Sequence, residues 1–318
     1  MTESKTATAS SLRWEILRRA LLHRRPSDDR SRAGIDRVSR LTNRGFNLIP
    51  FDLVTDEEMR LIGDSDSRSK GYRISSSRDV CVRYRLTVES APELFMFQRV
   101  DRGGMNDFEI CNKHHIDYTG LVCQWPSEDV LAYYCLMHSN MFRSKRVIEL
   151  GAGYGLAGLV IAAVTEASEV IISDGNPEVV DYIQRNIAAN AGAFGNTTVK
   201  PMILHWDQEE ISACAHTFDI IIASDCTFFK EFHKGLSRTI NILLKSSGPS
   251  EAILFNPRRG DSLDKFLEEI KDNGLCFSLS EKYDHDVWSR HQEFMDGNES
   301  WPNYEKDHCY PLLVRILR

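Results

Sequence analysis

The sequence predicts an α/β protein: a seven-stranded, mostly parallel sheet with helices on both faces, preceded by a small N-terminal β element. Three observations carry this. From Lys145 onward, strand-like apolar runs alternate with helical ones, the pattern of a parallel sheet covered on both sides. The run Val147-Ile148-Glu149-Leu150-Gly151-Ala152-Gly153-Tyr154-Gly155 reads as a buried strand followed by a glycine turn into a helix. Only an irregular, aromatic-rich stretch separates the last two strands, so the sheet should end in an antiparallel hairpin, unlike a dinucleotide fold.

In chain order, residues 1–45 read as a basic tail. Residues 12–44 hold ten arginines, no lysine and four acids, a charge of +6 in a chain of net −7, so the remainder carries −13. A basic arm on an acidic body points to an anionic partner. Residues 11–25 (SLRWEILRRALLHRR) have amphipathic helical spacing. Arg- and Ser-rich N-termini also mark organelle transit peptides, against which Glu3 and Glu15 count. Residues 46–122 form the β element. Arg73–Thr87 alternates around Val80, Val82, Tyr84 and Leu86, and Leu94–Val100 and Phe108–Tyr118 follow, giving two or three antiparallel strands.

The main unit spans residues 123–318. Pro126 opens a helix with Ser127 as N-cap and Glu128 and Asp129 in its first turn, running to about Phe142. Strands follow at 145–150, 169–173, 198–204, 218–224, 251–256, 275–281 and 310–317. Helices are expected at 155–165, 177–190, 229–245 and 261–272. At 42% hydrophobic and 27% charged residues the chain suits a soluble globular protein. No apolar run reaches the roughly 18 residues of a membrane span. The eight cysteines are scattered without C-x-x-C. They read as reduced core residues of a cytoplasmic or nuclear protein, with no zinc site and no other metal. A monomer is expected.

Ligands of such sheets bind at the carboxyl ends of the strands, so each strand end is a candidate. Glu149 stands two residues before G-x-G-x-G. Gly151 and Gly153 let backbone approach a ligand, and the following helix N-terminus offers N–H groups. A pyrophosphate-binding turn needs G-x-G-x-x-G, and Leu156 occupies its last position. The pattern points instead to S-adenosylmethionine, with Glu149 holding its cationic amino acid end. Asp174 closes the second strand, 23 residues past Gly151, where a carboxylate can take both ribose hydroxyls; Asn176, directly before Pro177, is the better helix cap. Trp206 and Asp207 end the third strand, placing an aromatic against adenine. The fourth strand delivers Ser224, Asp225 and Phe228 to where the methyl leaves, and Ala223 is small enough to let the cofactor pass. Phe228 and Phe229 can wall an apolar amine pocket. Arg258 and Arg259, after the fifth strand, place positive charge near it for an acidic substrate. A nicotinamide-dependent oxidoreductase and a pure binding module are the competing classes.

Trp125-Pro126, Glu149-x-Gly151-x-Gly153, Asp174, Leu204-x-Trp206 and Asp225-x-x-Phe228, in this order, resemble the seven-strand class I (Rossmann-like) protein methyltransferases with a D-x-x-Y signature, methyltransferase family 16. The resemblance implies methyl transfer to lysine side chains of non-histone proteins, without nucleic acid or membrane. With the basic tail and Asn256-Pro257-Arg258-Arg259-Gly260, it implies calmodulin as the partner and trimethylation as the outcome. It also implies that Trp125, the glycine loop, Asp174, Trp206 and Ala223 touch cofactor and that Asp225 sits beside the target lysine. Phe228 departs from the family's tyrosine, so no mechanism can use a phenol there.

Overall fold

A computed structural model describes residues 45–55, 57–58, 79–99, 119–206 and 214–318. The arginine-rich tail, the stretch 108–118 and Asp207 lie outside these residues. The main sheet contains β4 (Arg146–Leu150), β5 (Glu169–Asp174), β6 (Thr198–Ile203), β7 (Ile220–Ser224), β8 (Glu251–Asn256), β9 (Cys276–Ser280) and β10 (Leu312–Leu317). Their order is β6-β5-β4-β7-β8-β10-β9. β4 to β8 pair in parallel, and β10 inserts antiparallel between β8 and β9. The seven strands and the terminal antiparallel pair are those the sequence predicts.

Every residue of β7 (IIIAS) is buried, as a central strand covered on both faces requires. The chain switches direction at β4, and Leu150 is level with both Ser173 of β5 and Ala223 of β7. Gly151, Asp174 and Ser224 therefore emerge along one sheet edge, at the crevice where doubly wound sheets take ligands.

The helices of this unit are α2 (Pro126–Met137), α3 (Leu156–Val164), α4 (Pro177–Ala189), α5 (His233–Leu243) and α6 (Ser262–Asp272). A one-turn α1 (Thr119–Val122) precedes them, and α7 (His285–Met295) and a one-turn α8 (Lys306–Cys309) lie between β9 and β10. α4 starts as expected: Pro177 is in its first turn and the Asn176 side chain accepts the Glu178 N–H at 3.0 Å. α2 does not. Its cap is Trp125, and the Ser127 hydroxyl lies in the first turn facing Asp225 at 3.5 Å.

α7 corrects the expectation of an irregular stretch between the last strands. Asp284 accepts the N–H groups of Asp286 and Val287, a capping signal that polar surroundings hid. Val287, His291 and Phe294 then form the buried face. The aromatic residues of this region pack into the core beside the N-terminal segment. Phe294, Trp301, Tyr304 and Tyr310 surround Phe46 with ring centroids 5.6 to 6.5 Å from it.

The N-terminal sheet joins β1 (Phe51–Leu53), β2 (Asp79–Arg85) and β3 (Glu93–Arg99), all antiparallel. β1 is short and was not legible as a strand. Among the described residues, side chains from α4 cover the outer edge of β3. Asn186 Oδ1 accepts the Phe97 N–H at 2.7 Å. Four residues on, Asn190 accepts the Phe95 N–H at 2.8 Å and donates to the Phe95 carbonyl at 2.7 Å. The i, i+4 spacing on α4 puts both amides over alternate residues of the strand, satisfying groups that would otherwise template another chain. Asn186 also donates to the Tyr154 carbonyl at 3.0 Å, tying this sheet to the glycine loop.

Candidate active site

The loop from β4 to α3 turns through three glycines in the left-handed region, Gly151 (φ +62°), Gly153 (φ +56°) and Gly155 (φ +82°). A Cβ on Gly151 would stand 2.8 Å from Cys226 Sγ and 3.1 Å from the Trp206 ring, so this glycine lets the ends of β6 and β7 close over the loop. The loop's donors are largely used within the protein. Ala152 N–H goes to the Ser173 carbonyl at 2.9 Å, and Gly153 N–H to Asp174 Oδ2 at 3.2 Å.

At the start of α3 two buried carboxylates act together. Glu128 Oε1 accepts Ala157 N–H at 2.7 Å and Glu149 Oε2 accepts Gly158 N–H at 2.9 Å. The helix N-terminus, expected to face the ligand, is thus capped from beneath by acid groups, which its dipole favours. Glu149, expected to hold the cofactor's amino end, is fully buried and is not among the residues lining the cavity. Burial, then the neighbouring Glu128 charge, raises its pKa well above the usual carboxylate range.

Above the loop lies an open cleft with about 1020 Å³ between its walls. Trp125, Gly151, Gly153, Asp174, Trp206, Asp225, Phe228, Phe229 and Arg259, nine of the residues singled out from sequence, line it together. Across the sheet order β6-β5-β4-β7, Trp206 and His205 stand at one end, Asp174 next, the glycine loop in the middle, and Ser224 and Asp225 at the other end.

Asp174 accepts Asn176 N–H at 2.9 Å on Oδ1 and Gly153 N–H on Oδ2. These bonds fix the carboxylate, an acceptor-only group, at the cavity wall. Trp125 Nε1 donates to the Thr119 carbonyl at 3.1 Å, holding the indole as a wall. Phe228 and Phe229 meet edge to face at 4.7 Å, and Phe232 continues the aromatic row.

Ala223 is fully buried beneath the cavity floor and is not a lining residue. Arg258 is half-exposed outside it, 3.6 Å from Asp264. Arg259 is not a free cation for an acidic partner. Its guanidinium forms a two-nitrogen pair with the Asp225 carboxylate, Nη2 to Oδ2 at 2.8 Å, and lies 5.0 Å from the Phe228 ring centre.

Sequence reasoning missed Glu128, which links α2 to both the α3 start and β7: its Oε2 accepts the Ser224 hydroxyl at 2.7 Å. Its placement in the first turn suggested only a dipole contact. Sequence reasoning also missed Phe232, which meets Phe229 edge to face; the run Phe-Phe-Lys-Glu-Phe was the signal for it.

These walls fit S-adenosylmethionine. A carboxylate at the wall for hydroxyls, aromatic surfaces for a flat base and a sulfonium cation, and glycines without Cβ atoms at two positions of the loop are the chemistry it needs. No group of His, Cys, Asp and Glu able to hold a metal occurs among the described residues.

The chain is similar to several known proteins. Residues 109–273 match the family model described as lysine methyltransferase. The chain is 57% identical over 312 residues to calmodulin-lysine N-methyltransferase of Arabidopsis thaliana, covering 98% of this chain and 97% of that protein. It is 27% identical to protein-lysine N-methyltransferase EEF2KMT of Mus musculus, over 49% of this chain and 50% of that one. Among solved structures, an S-adenosylmethionine dependent methyltransferase from Mesorhizobium loti aligns with TM-score 0.43 at 15% identity, covering 60% of this chain and all of that one.

Proposed function

The chain belongs to the lysine methyltransferase family, and from that premise we propose that it transfers methyl groups from S-adenosylmethionine to a lysine of calmodulin. The observation that carries the chemistry is the cleft at the carboxyl edge of β4 to β7, acidic and aromatic at once. The near full-length likeness to an enzyme named for calmodulin supports the substrate.

When bound, S-adenosylmethionine supplies a methyl group activated by its sulfonium. Asp174 would orient the ribose through hydroxyl hydrogen bonds, and Trp206 and His205 would hold the base. Trp125 and the Gly151–Gly153 backbone hold the middle of the ligand. Phe228 and Phe229 wall the acceptor side. A lysine ammonium, with a pKa of about 10.4 in water, must lose its proton before attack, and apolar walls disfavour its charged form. Holding the amine in line with the methyl is worth roughly 7–11 kcal/mol of the barrier. Cys226 shares the cleft, and burial followed by the nearby Asp225 and Asp174 charges pushes its thiol well up. It remains protonated and does not compete as a thiolate nucleophile. Seven free cysteines among the described residues support a reducing compartment, the cytoplasm with the nucleus as second.

The test is mass spectrometry of calmodulin incubated with the protein and isotope-labelled S-adenosylmethionine. Labelled methyls on one lysine are expected, their number read from the mass. Unlabelled calmodulin, with labelled lysine on another protein, would overturn the substrate. Thermal stabilisation by NAD and none by S-adenosylhomocysteine would overturn the class.

A further inference from the structure

The Asp225–Arg259 pair is a built feature of the cleft. Both residues hold positive φ, +56° and +46°. The Asp225 N–H donates to the Phe255 carbonyl at 3.0 Å and the Arg259 N–H to the Asp307 carbonyl at 2.7 Å. Their side chains are only 8% and 12% exposed, so the two charges are matched largely away from water. The guanidinium also lies 5.9 Å from the Trp125 ring and 5.0 Å from the Phe228 ring. With Asp174 and Trp206 as the ribose and base contacts proposed above, a donor bound across the cleft would present its methyl toward the β7 end, where this pair stands.

A lone carboxylate at that spot would attract lysine and keep it as an ammonium, which has no lone pair for attack. We propose that Arg259 is a positioning residue for methyl transfer: by pairing with Asp225 it cancels the carboxylate charge at the acceptor subsite, so that the entering amine is not held as a cation. The pair still offers carboxylate oxygens that orient an N–H. This rests on the lysine-methyltransferase reading above.

Facing the pair are Cys123 and Glu128 from α2 and the segment before it, Cys226 beside Asp225, Asp174 across the cleft and Cys309 on α8. Burial raises all three thiols, Cys309 to about 11, so none of them titrates through the neutral range.

The experiment measures kcat against pH for the full chain with calmodulin and labelled S-adenosylmethionine, because kcat reports groups in the bound complex. Arg259→Gln uncovers the Asp225 charge and should move the rising limb to higher pH by about one to three units. Asp225→Asn, tolerated at positive φ, uncovers Arg259 and should move it to lower pH. Arg259→Lys should keep the wild-type position at reduced kcat. Melting temperature and S-adenosylhomocysteine affinity report folding of each variant. If Arg259→Gln does not fold, opposite placement of Asp225→Asn relative to wild type and Arg259→Lys still decides. Loss of turnover with unmoved profiles overturns the proposal and leaves the methyltransferase reading standing. A wild-type chain that labels no protein lysine overturns both.

Discussion

Gly158, the third residue of α3, is the tightest point beneath the glycine loop. A Cβ built there lies 2.6 Å from Glu149 Oε2 and 2.6 Å from Ile172 Cγ1, with Ile172 Cδ1 at 2.8 Å. Its N–H holds the Glu149 carboxylate at 2.9 Å. In an isolated helix Gly→Ala stabilises by about 1 kcal/mol. Here Gly158→Ala must displace Ile172 from the sheet face, an overpacking cost of about 1–3 kcal/mol. It must also push the Glu149 carboxyl group off the N–H, leaving a buried donor without its acceptor at a cost of about 1–3 kcal/mol. The costs outweigh the propensity gain, leaving a net loss of roughly 1–5 kcal/mol. Urea unfolding should show a lower midpoint with an unchanged slope, and calorimetry weaker S-adenosylhomocysteine binding, because the loop rides on this turn. Gly192→Ala is the control: nothing lies within 4 Å of its Cβ position, and stability should hold within about half a kcal/mol. A Gly158→Ala protein as stable as wild type would refute the steric reasoning.

Three further perturbations follow from the same contacts. Asp174→Ala should weaken S-adenosylhomocysteine binding measured by calorimetry by about tenfold or more, with the melting temperature of the unliganded protein moved far less than the affinity. Asn186→Ala orphans the Phe97 N–H and frees the Tyr154 carbonyl, and should cost about 1–3 kcal/mol in urea unfolding; an unchanged midpoint would mean that the sheet edge is not closed by that amide. Glu149→Gln tests the buried acid. Its folded pKa lies above the ordinary value of about 4.3, because of burial and then Glu128. A carboxyl raised on folding contributes most below its unfolded pKa and loses that contribution as pH rises toward the folded one. The variant keeps an oxygen for Gly158 N–H and has no such slope. Its stability relative to wild type should therefore grow as pH rises above about 4, and a flat difference from pH 4 to 8 would show that Glu149 is not perturbed.

Most strands of the main sheet were legible because they are short apolar runs bounded by turn residues, and β7 is apolar up to Ser224. Asp174 and Asn176 were separable because Pro177 fixes where α4 begins, leaving the aspartate to face the cleft. What failed to show was whatever depends on partners distant in sequence. Glu149 has the spacing of a ligand contact, but its rotamer is decided by Gly158, nine residues on, and by Glu128 from a different helix. Arg259 follows Arg258, yet one enters the cleft and the other faces Asp264, because positive φ at Arg259 redirects the chain. Asn186 and Asn190 read as ordinary polar residues of an amphipathic helix. Their role exists only because the fold brings the β3 backbone to them.

These distant contacts share one physical logic. The cleft must accept a cationic cofactor and then a lysine that has to become neutral. Unmatched buried carboxylates would hold cations strongly and leave the amine unreactive. Each acid in or under the cleft is instead tied to a protein donor: Glu149 and Glu128 to the first turn of α3, Glu128 also to Ser224, Asp174 to two backbone N–H groups, and Asp225 to Arg259. Backbone and hydroxyl donors spread an acid's charge without removing it. A full positive charge cancels it, and Arg259 supplies that stronger compensation at Asp225. On the proposal above, this compensation is what lets a lysine at the β7 end of the cleft give up its proton.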